Sequence, residues 1–99
     1  MMQYMASRST IRAKEVRGDG SIVELVAWEL DAPVPPCVHR YKYRLFFGTA
    51  GACRVRYDNE RDKGDHRHID GCEQPHVFVS IAQLLADFRR DVETRENEQ

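Results

Sequence analysis

Arg40-Tyr41-Lys42-Tyr43-Arg44-Leu45-Phe46-Phe47, then Gly48-Thr49-Ala50-Gly51, then Ala52-Cys53-Arg54-Val55-Arg56-Tyr57 is the stretch whose pattern decides the fold. Arg40, Lys42 and Arg44 alternate with Tyr41, Tyr43, Leu45 and Phe47, and Arg54 and Arg56 alternate with Cys53, Val55 and Tyr57. Successive side chains of a strand point to opposite faces, so a period of two is a strand signature. Two such segments around a glycine-bounded turn read as an antiparallel hairpin. With the apolar sets facing a core, Arg40, Lys42, Arg44, Arg54 and Arg56 are expected on one surface. Like charges facing one another across strands cost stability. The surface is therefore either an ordinary solvated outer face or one that expects an anion.

Upstream, Ile11 to Arg17 reads as a short strand leading into the turn Gly18-Asp19-Gly20. Ile22 to Leu30 is apolar on both sides, as suits an interior strand. Asp31 to Cys37 carries Pro33, Pro35 and Pro36, which cannot donate to a ladder, so it must connect elements. Downstream, Pro75 precedes a short edge strand expected over His76 to Val79. Ser80-Ile81-Ala82-Gln83 matches a capping box that opens a helix. Ile81, Leu84, Leu85, Phe88 and Val92 form one apolar stripe, and the helix is expected to fray after Val92. The fold class is thus α+β, an antiparallel sheet of four to five strands packed on one C-terminal helix. Residues 1–99 fit one domain, with 1–9 and 94–99 expected to be flexible.

Composition narrows the class further. The chain of 99 residues is 41% hydrophobic and 31% charged, with a net charge of -1, and no apolar run approaches the roughly 20 residues of a membrane span. No secretion signal is evident between Met1 and Arg12, so the expected compartment is the cytoplasm. A pI near 6.4 gives no global attraction for nucleic acid, so any affinity for phosphate must come from local arrangement. Cys37, Cys53 and Cys72 lack a C-x-x-C spacing, which points to reduced, non-catalytic thiols.

The candidate chemistry lies in Tyr57-Asp58-Asn59-Glu60-Arg61-Asp62-Lys63-Gly64-Asp65-His66-Arg67-His68, a polar run expected to form a loop beside the basic face. An imidazole can give and take protons near neutral pH, and His66 and His68, at i and i+2 of an extended segment, share a face. Cleaving RNA without metal requires a proton taken from the 2′-hydroxyl, a proton given to the leaving oxygen and donors for the charge growing on phosphate. His66 and His68 suit the proton work. Lys42, Arg44, Arg56 and Arg67 suit the charge. Metal chemistry could draw on Asp58, Asp65, His66 and His68, but His-x-His without a third well-spaced ligand is a weak signal, and no cofactor or metal is expected. His39 and His76 read as structural.

The segments Tyr41-Lys42-Tyr43-Arg44-Leu45, Arg56-Tyr57-Asp58-Asn59-Glu60, Gly64-Asp65-His66-Arg67-His68, Phe78-Val79-Ser80 and Leu84-Leu85-Ala86-Asp87-Phe88 resemble the TumE-type toxin family of prokaryotic type II toxin-antitoxin modules. The resemblance runs from about Arg12 to Glu93 and includes Gly18-Asp19-Gly20 and Val26-Ala27-Trp28. It implies a small cytosolic growth-inhibiting toxin, encoded beside an antitoxin with a helix-turn-helix type domain, with RNA cleavage as its activity. It carries over to Tyr57, Asp58 and Asn59 and to His66 and His68. The family pattern has a glycine after the histidine that precedes Tyr41, whereas Arg40 follows His39 here, so the conformation of that loop is not carried over.

Together these expectations describe an endoribonuclease toxin acting on single-stranded or loop RNA. His66 and His68 would act as base and acid, and Asp58 would orient one imidazole. Tyr57, Asn59, Lys42, Arg44, Arg56 and Arg67 would hold substrate. A non-catalytic protein docking RNA or an acidic partner on the basic hairpin is the alternative, and the tail Glu93 to Gln99 of a second copy in a homo-oligomer is one such partner. A metal-dependent nuclease or phosphoesterase is the third reading.

Overall fold

The structure, a computed structural model, describes residues 7–60 and 63–98. Six strands, β1 (Ser7–Val16), β2 (Ile22–Leu30), β3 (Tyr41–Thr49), β4 (Ala52–Glu60), β5 (Gly64–Ile69) and β6 (Cys72–Pro75), precede one helix, α1 (Ile81–Glu96). The strands pair in sequence order as an antiparallel meander. The α+β class and the C-terminal helix are as expected, but the sheet has six strands rather than four to five. The additional pairing comes from the polar run, whose residues 57–60 and 64–68 are strand rather than loop. His76 to Val79 is not a strand; the last ladder ends at Pro75. Ser7 to Ser9, within the segment expected to fray, belong to β1, and residues 1–6 lie outside the described residues.

Register divides the side chains between two faces. Leu25 pairs Leu45, Ala27 pairs Tyr43, Leu45 pairs Tyr57 and Phe47 pairs Val55, which places all of them on one face. Leu84, Phe88 and Val92 of α1 close over that face, and Ala27, Leu45, Val55 and Tyr57 are fully buried beneath them. The opposite face carries Val26, Trp28, Lys42, Arg44, Phe46, Arg56, Asp58, His66 and His68 by the same registers. We call it the open face.

Two turns and one register shift fix these pairings. Thr49 pairs Ala52, so Ala50-Gly51 makes a two-residue hairpin turn, and Gly48, expected in that turn, sits in β3 where any Cβ would lie 2.1 Å from the Ala52 carbonyl oxygen. A register shift beside Gly48 leaves Arg54 without a strand partner and turns it toward Asp70 and Glu98. Asp70-Gly71, with φ of 48° and 89°, joins β5 to β6 in the left-handed conformations that such a tight turn demands.

Ser80 caps α1 by accepting the Gln83 amide at 3.0 Å. The reciprocal half of the expected capping box is absent, because the Gln83 side chain donates to Asp87 instead. The helix continues past Val92 to Glu96, where Arg17 pairs with Glu96 and Arg95 with Asp70, tying the last turn to the sheet. Asp87 also receives His76 at 3.0 Å. Burial opposes the Asp87 carboxylate, but hydrogen bonds from His76 and Gln83 outweigh it and hold its pKa below the ordinary value. A carboxyl depressed in the folded state contributes stability above its unfolded pKa of about 3.9 and loses it as pH falls through the lower folded value. Asp87→Asn should therefore flatten the decline of thermal midpoint below about pH 4, while a decline as steep as the parent's would assign the acid sensitivity elsewhere.

Candidate active site

On the open face, β4 and β5 bring a line of four side chains into contact. Asp58 pairs His66 and Arg56 pairs His68 across the ladder. His66 Nε2 stands 2.6 Å from Asp58 Oδ1, Asp58 Oδ2 stands 3.2 Å from Arg56 Nε, and Arg56 Nη2 stands 2.9 Å from His68 Nε2. The two imidazoles meet edge to face with centroids 5.3 Å apart. Strand pairing explains the convergence, since directly opposed side chains lie about 5 Å apart at Cβ.

Hydrogen-bond roles separate the imidazoles. Arginine only donates, so His68 Nε2 accepts from Arg56 and the ring proton sits on Nδ1. The Gly64 carbonyl only accepts, so His66 Nδ1 donates to it at 3.0 Å and Nε2 is left facing Asp58. His66 is 3% exposed, and neither its Nε2 nor Asp58 Oδ1 has an aligned hydrogen-bond partner despite their close approach. Such buried, poorly aligned polar atoms cost free energy, and sites of function are where that cost is commonly met. The His68 side chain keeps 22% of its surface open.

The remaining expected site residues divide by face. Arg44 is exposed opposite Asp58, and Lys42 hangs its Nζ on the Asn59 carbonyl at 2.8 Å, so both join the open face with Arg56. Arg40 lies ahead of β3 and reaches Glu29 at 3.7 Å, while Arg54 turns to Asp70, so the expected block of five cations on one surface is reduced to Lys42, Arg44 and Arg56. Tyr57, Asn59 and Arg67 alternate with these residues and belong to the helix side. Tyr57, expected to be partly open, is fully buried, with its hydroxyl donating to Asp91 and its ring edge-on to Phe88. Burial first and the Asp91 hydrogen bond second push its pKa up to about 12. Asn59 bridges the Tyr43 amide and the Tyr41 carbonyl, and Arg67 holds Asp91, Tyr57 and Gln74. Tyr57 and Arg67 tie the sheet to its helix through Asp91, Asn59 ties β4 to β3, and all three point away from the open face.

A second polar cluster joins the proline loop to β5. His39 Nε2 reaches both Asp65 oxygens at 2.9 and 3.1 Å, Tyr43 donates to Asp65 at 2.5 Å, and Cys37 contacts Asp65 and Asn59. Cys37, His39 and Asp65 have ligand atoms close enough for a metal ion. The Tyr41 amide donates to His39 Nδ1, however, so the ring proton sits on Nε2 and is spent on Asp65. Burial and the Asp65 charge push the Cys37 thiol up, which keeps it protonated. Cys37, Cys53 and Cys72 are all free, His39 stacks on Phe78, and His76 is held by Asp87.

A meander sheet with a helix on one face and an arginine, carboxylate and histidine line on the other defines a small α+β protein with its ionisable cluster on the uncovered side. Its sequence matches the family described as Toxin TumE over residues 3–96, and the chain belongs to the TumE toxin family. No curated protein and no solved structure shows significant similarity to it. Among the described residues, no helix is long and apolar enough to cross a membrane.

Proposed function

We propose that the chain is the toxin of a type II toxin-antitoxin module and cleaves RNA on the open face of its sheet, held in check in the cytoplasm by a cognate antitoxin with a helix-turn-helix type domain. The observation that carries this reading is the continuous line His66, Asp58, Arg56, His68, which ends in a partly open imidazole held by Arg56, with exposed Arg44 across the ladder from Asp58. His68 is the proton-transferring group. An RNA phosphate draws the Arg56 guanidinium onto its oxygens and frees the His68 Nε2 lone pair to take the 2′-hydroxyl proton. The 2′-oxygen then bonds to phosphorus, the bond to the 5′-oxygen breaks, and the proton goes to that leaving oxygen. Arg44 and Arg56 meet the growing charge on phosphate. Asp58 and His66 are positioning residues, because His66 Nε2 is enclosed and acts on substrate only through Asp58 and Arg56. Growth arrest on expression, relief by the antitoxin and release of 2′,3′-cyclic phosphate ends from RNA are the results that test this; arrest with intact RNA would overturn it.

A metal-dependent route is the second reading, favoured by the ligand atoms of His66, His68 and Glu73 lying within 4.8 Å of one another and by the unaligned His66 and Asp58 atoms. The two differ in one measurement. Histidine chemistry gives cleavage unchanged in excess chelator, whereas activity lost in chelator and restored by manganese would transfer the reaction to a cation.

A further inference from the structure

We infer that Trp28 and Phe46 are base-stacking platforms for a single-stranded RNA lying across the open face, an inference that rests on the RNA-cleaving reading and names how its substrate is held. The helix covers the other face, and the core cluster that it closes contains neither residue. Trp28 and Phe46 are instead half-buried on the open face: Trp28 pairs Lys42, and Phe46 stands between Arg56 on one side and Glu24 on the other. Large aromatic side chains on a face that no packed element needs are unusual unless something covers them. The charges beside them select what does. Lys42, Arg44 and Arg56 offer phosphate contacts between the two rings, the combination by which single strands are bound without base pairing.

Register gives the track its dimensions. Rows of same-face residues repeat at about 7 Å along a strand and strands lie about 5 Å apart, so Phe46, in the row of His68 and two strands away, is about 10 Å from it. Trp28, two rows further and on β2, is about 20 Å from His68. Phe46 thus takes a base next to the reacting phosphate. Trp28 takes one several nucleotides away. A duplex keeps its bases stacked inside and offers neither ring a face, so the track selects unpaired RNA.

Trp28 is the chain's single tryptophan, so its emission reports this site alone. The experiment titrates the full chain with a 2′-O-methyl single strand, which cannot be cleaved, with the same sequence as a duplex, and with polyphosphate. Expected are saturable quenching by the single strand only, affinity held in Trp28→Phe, and affinity lowered about 5- to 150-fold in Trp28→Leu, which keeps an apolar side chain but no π-face. Binding with unchanged emission and with equal affinity in Trp28→Leu would overturn stacking. Equal quenching by the duplex, or emission that shifts with protein concentration alone as a second copy covers the face, would overturn it too. Products from a parallel 2′-hydroxyl strand separate the two proposals: cleavage without quenching removes the platform and keeps the nuclease, and quenching without cleavage does the reverse.

Discussion

His68→Ala is expected to lower the single-turnover rate of RNA cleavage by about 10²- to 10⁴-fold, the range that a positioned general acid or base supplies. Growth inhibition should fall with it. His68 ends the polar line on the open face, touches Arg56 through Nε2 and keeps part of its ring accessible, so its removal takes the acceptor for the 2′-hydroxyl proton and leaves the cations in place. RNA affinity, measured on an uncleavable strand, should change by no more than about threefold, because the charged contacts that dominate such affinity remain. His66→Asn should cost less than His68→Ala. The enclosed His66 ring stands 2.6 Å from Asp58 and so acts two contacts away from substrate. Cleavage undiminished in His68→Ala, with the fold intact by circular dichroism, would remove the imidazole from the mechanism.

Tyr57→Ala is expected to destabilise the fold by about 3–5 kcal/mol, the cost of deleting a large buried aromatic ring. Tyr57 lies fully buried between β3 and β5, packs edge-on against Phe88 at 5.7 Å and against His76 at 4.8 Å, and spends its hydroxyl on Asp91. Tyr57→Phe separates the two parts of that role. It keeps the ring and leaves the buried Asp91 carboxylate with Arg67 at 2.9 Å and Arg90 at 3.9 Å, a loss of about 1–3 kcal/mol. Against a total stability of about 5–15 kcal/mol for a small domain, the alanine variant should be partly unfolded near 37 °C and the phenylalanine variant folded. Urea midpoints for the two variants check this, and equal midpoints would show that packing around Tyr57 carries no weight. Because Tyr57 belongs to the helix face, Tyr57→Phe should cleave RNA at the parent rate at temperatures where it is folded.

The parts of the fold legible in the sequence are those in which apolar period and burial coincide. Tyr43, Leu45, Phe47 and Val55 announced the hairpin, and Ser80 with the Leu84, Phe88, Val92 stripe announced the helix. β5 did not announce itself, because Asp65, His66, Arg67 and His68 are covered by pairing with other polar groups rather than by hydrophobicity. Its signal was Asp70-Gly71, the dipeptide of a two-residue hairpin turn, which makes the flanking residues strands and so sorts His66 and His68 from Arg67 by alternation. The same alternation separates Asp58 from Tyr57 and Asn59. Arg54 was beyond reach, since a register shift depends on what stands across the ladder. Asp91, missed altogether, falls at i+7 from Leu84, a carboxylate in the apolar stripe that calls for a buried partner such as Arg67.

Chemical-shift mapping of the labelled protein with an uncleavable single-stranded RNA tests most directly whether function lies on the uncovered side of the sheet. The side-chain signals of Trp28, Arg44, Arg56 and His68 should move on titration, while those of Tyr43, Tyr57 and Phe88 stay in place. Shifts confined to the helix side, or none at RNA concentrations that are cleaved when the 2′-hydroxyls are present, would contradict the assignment.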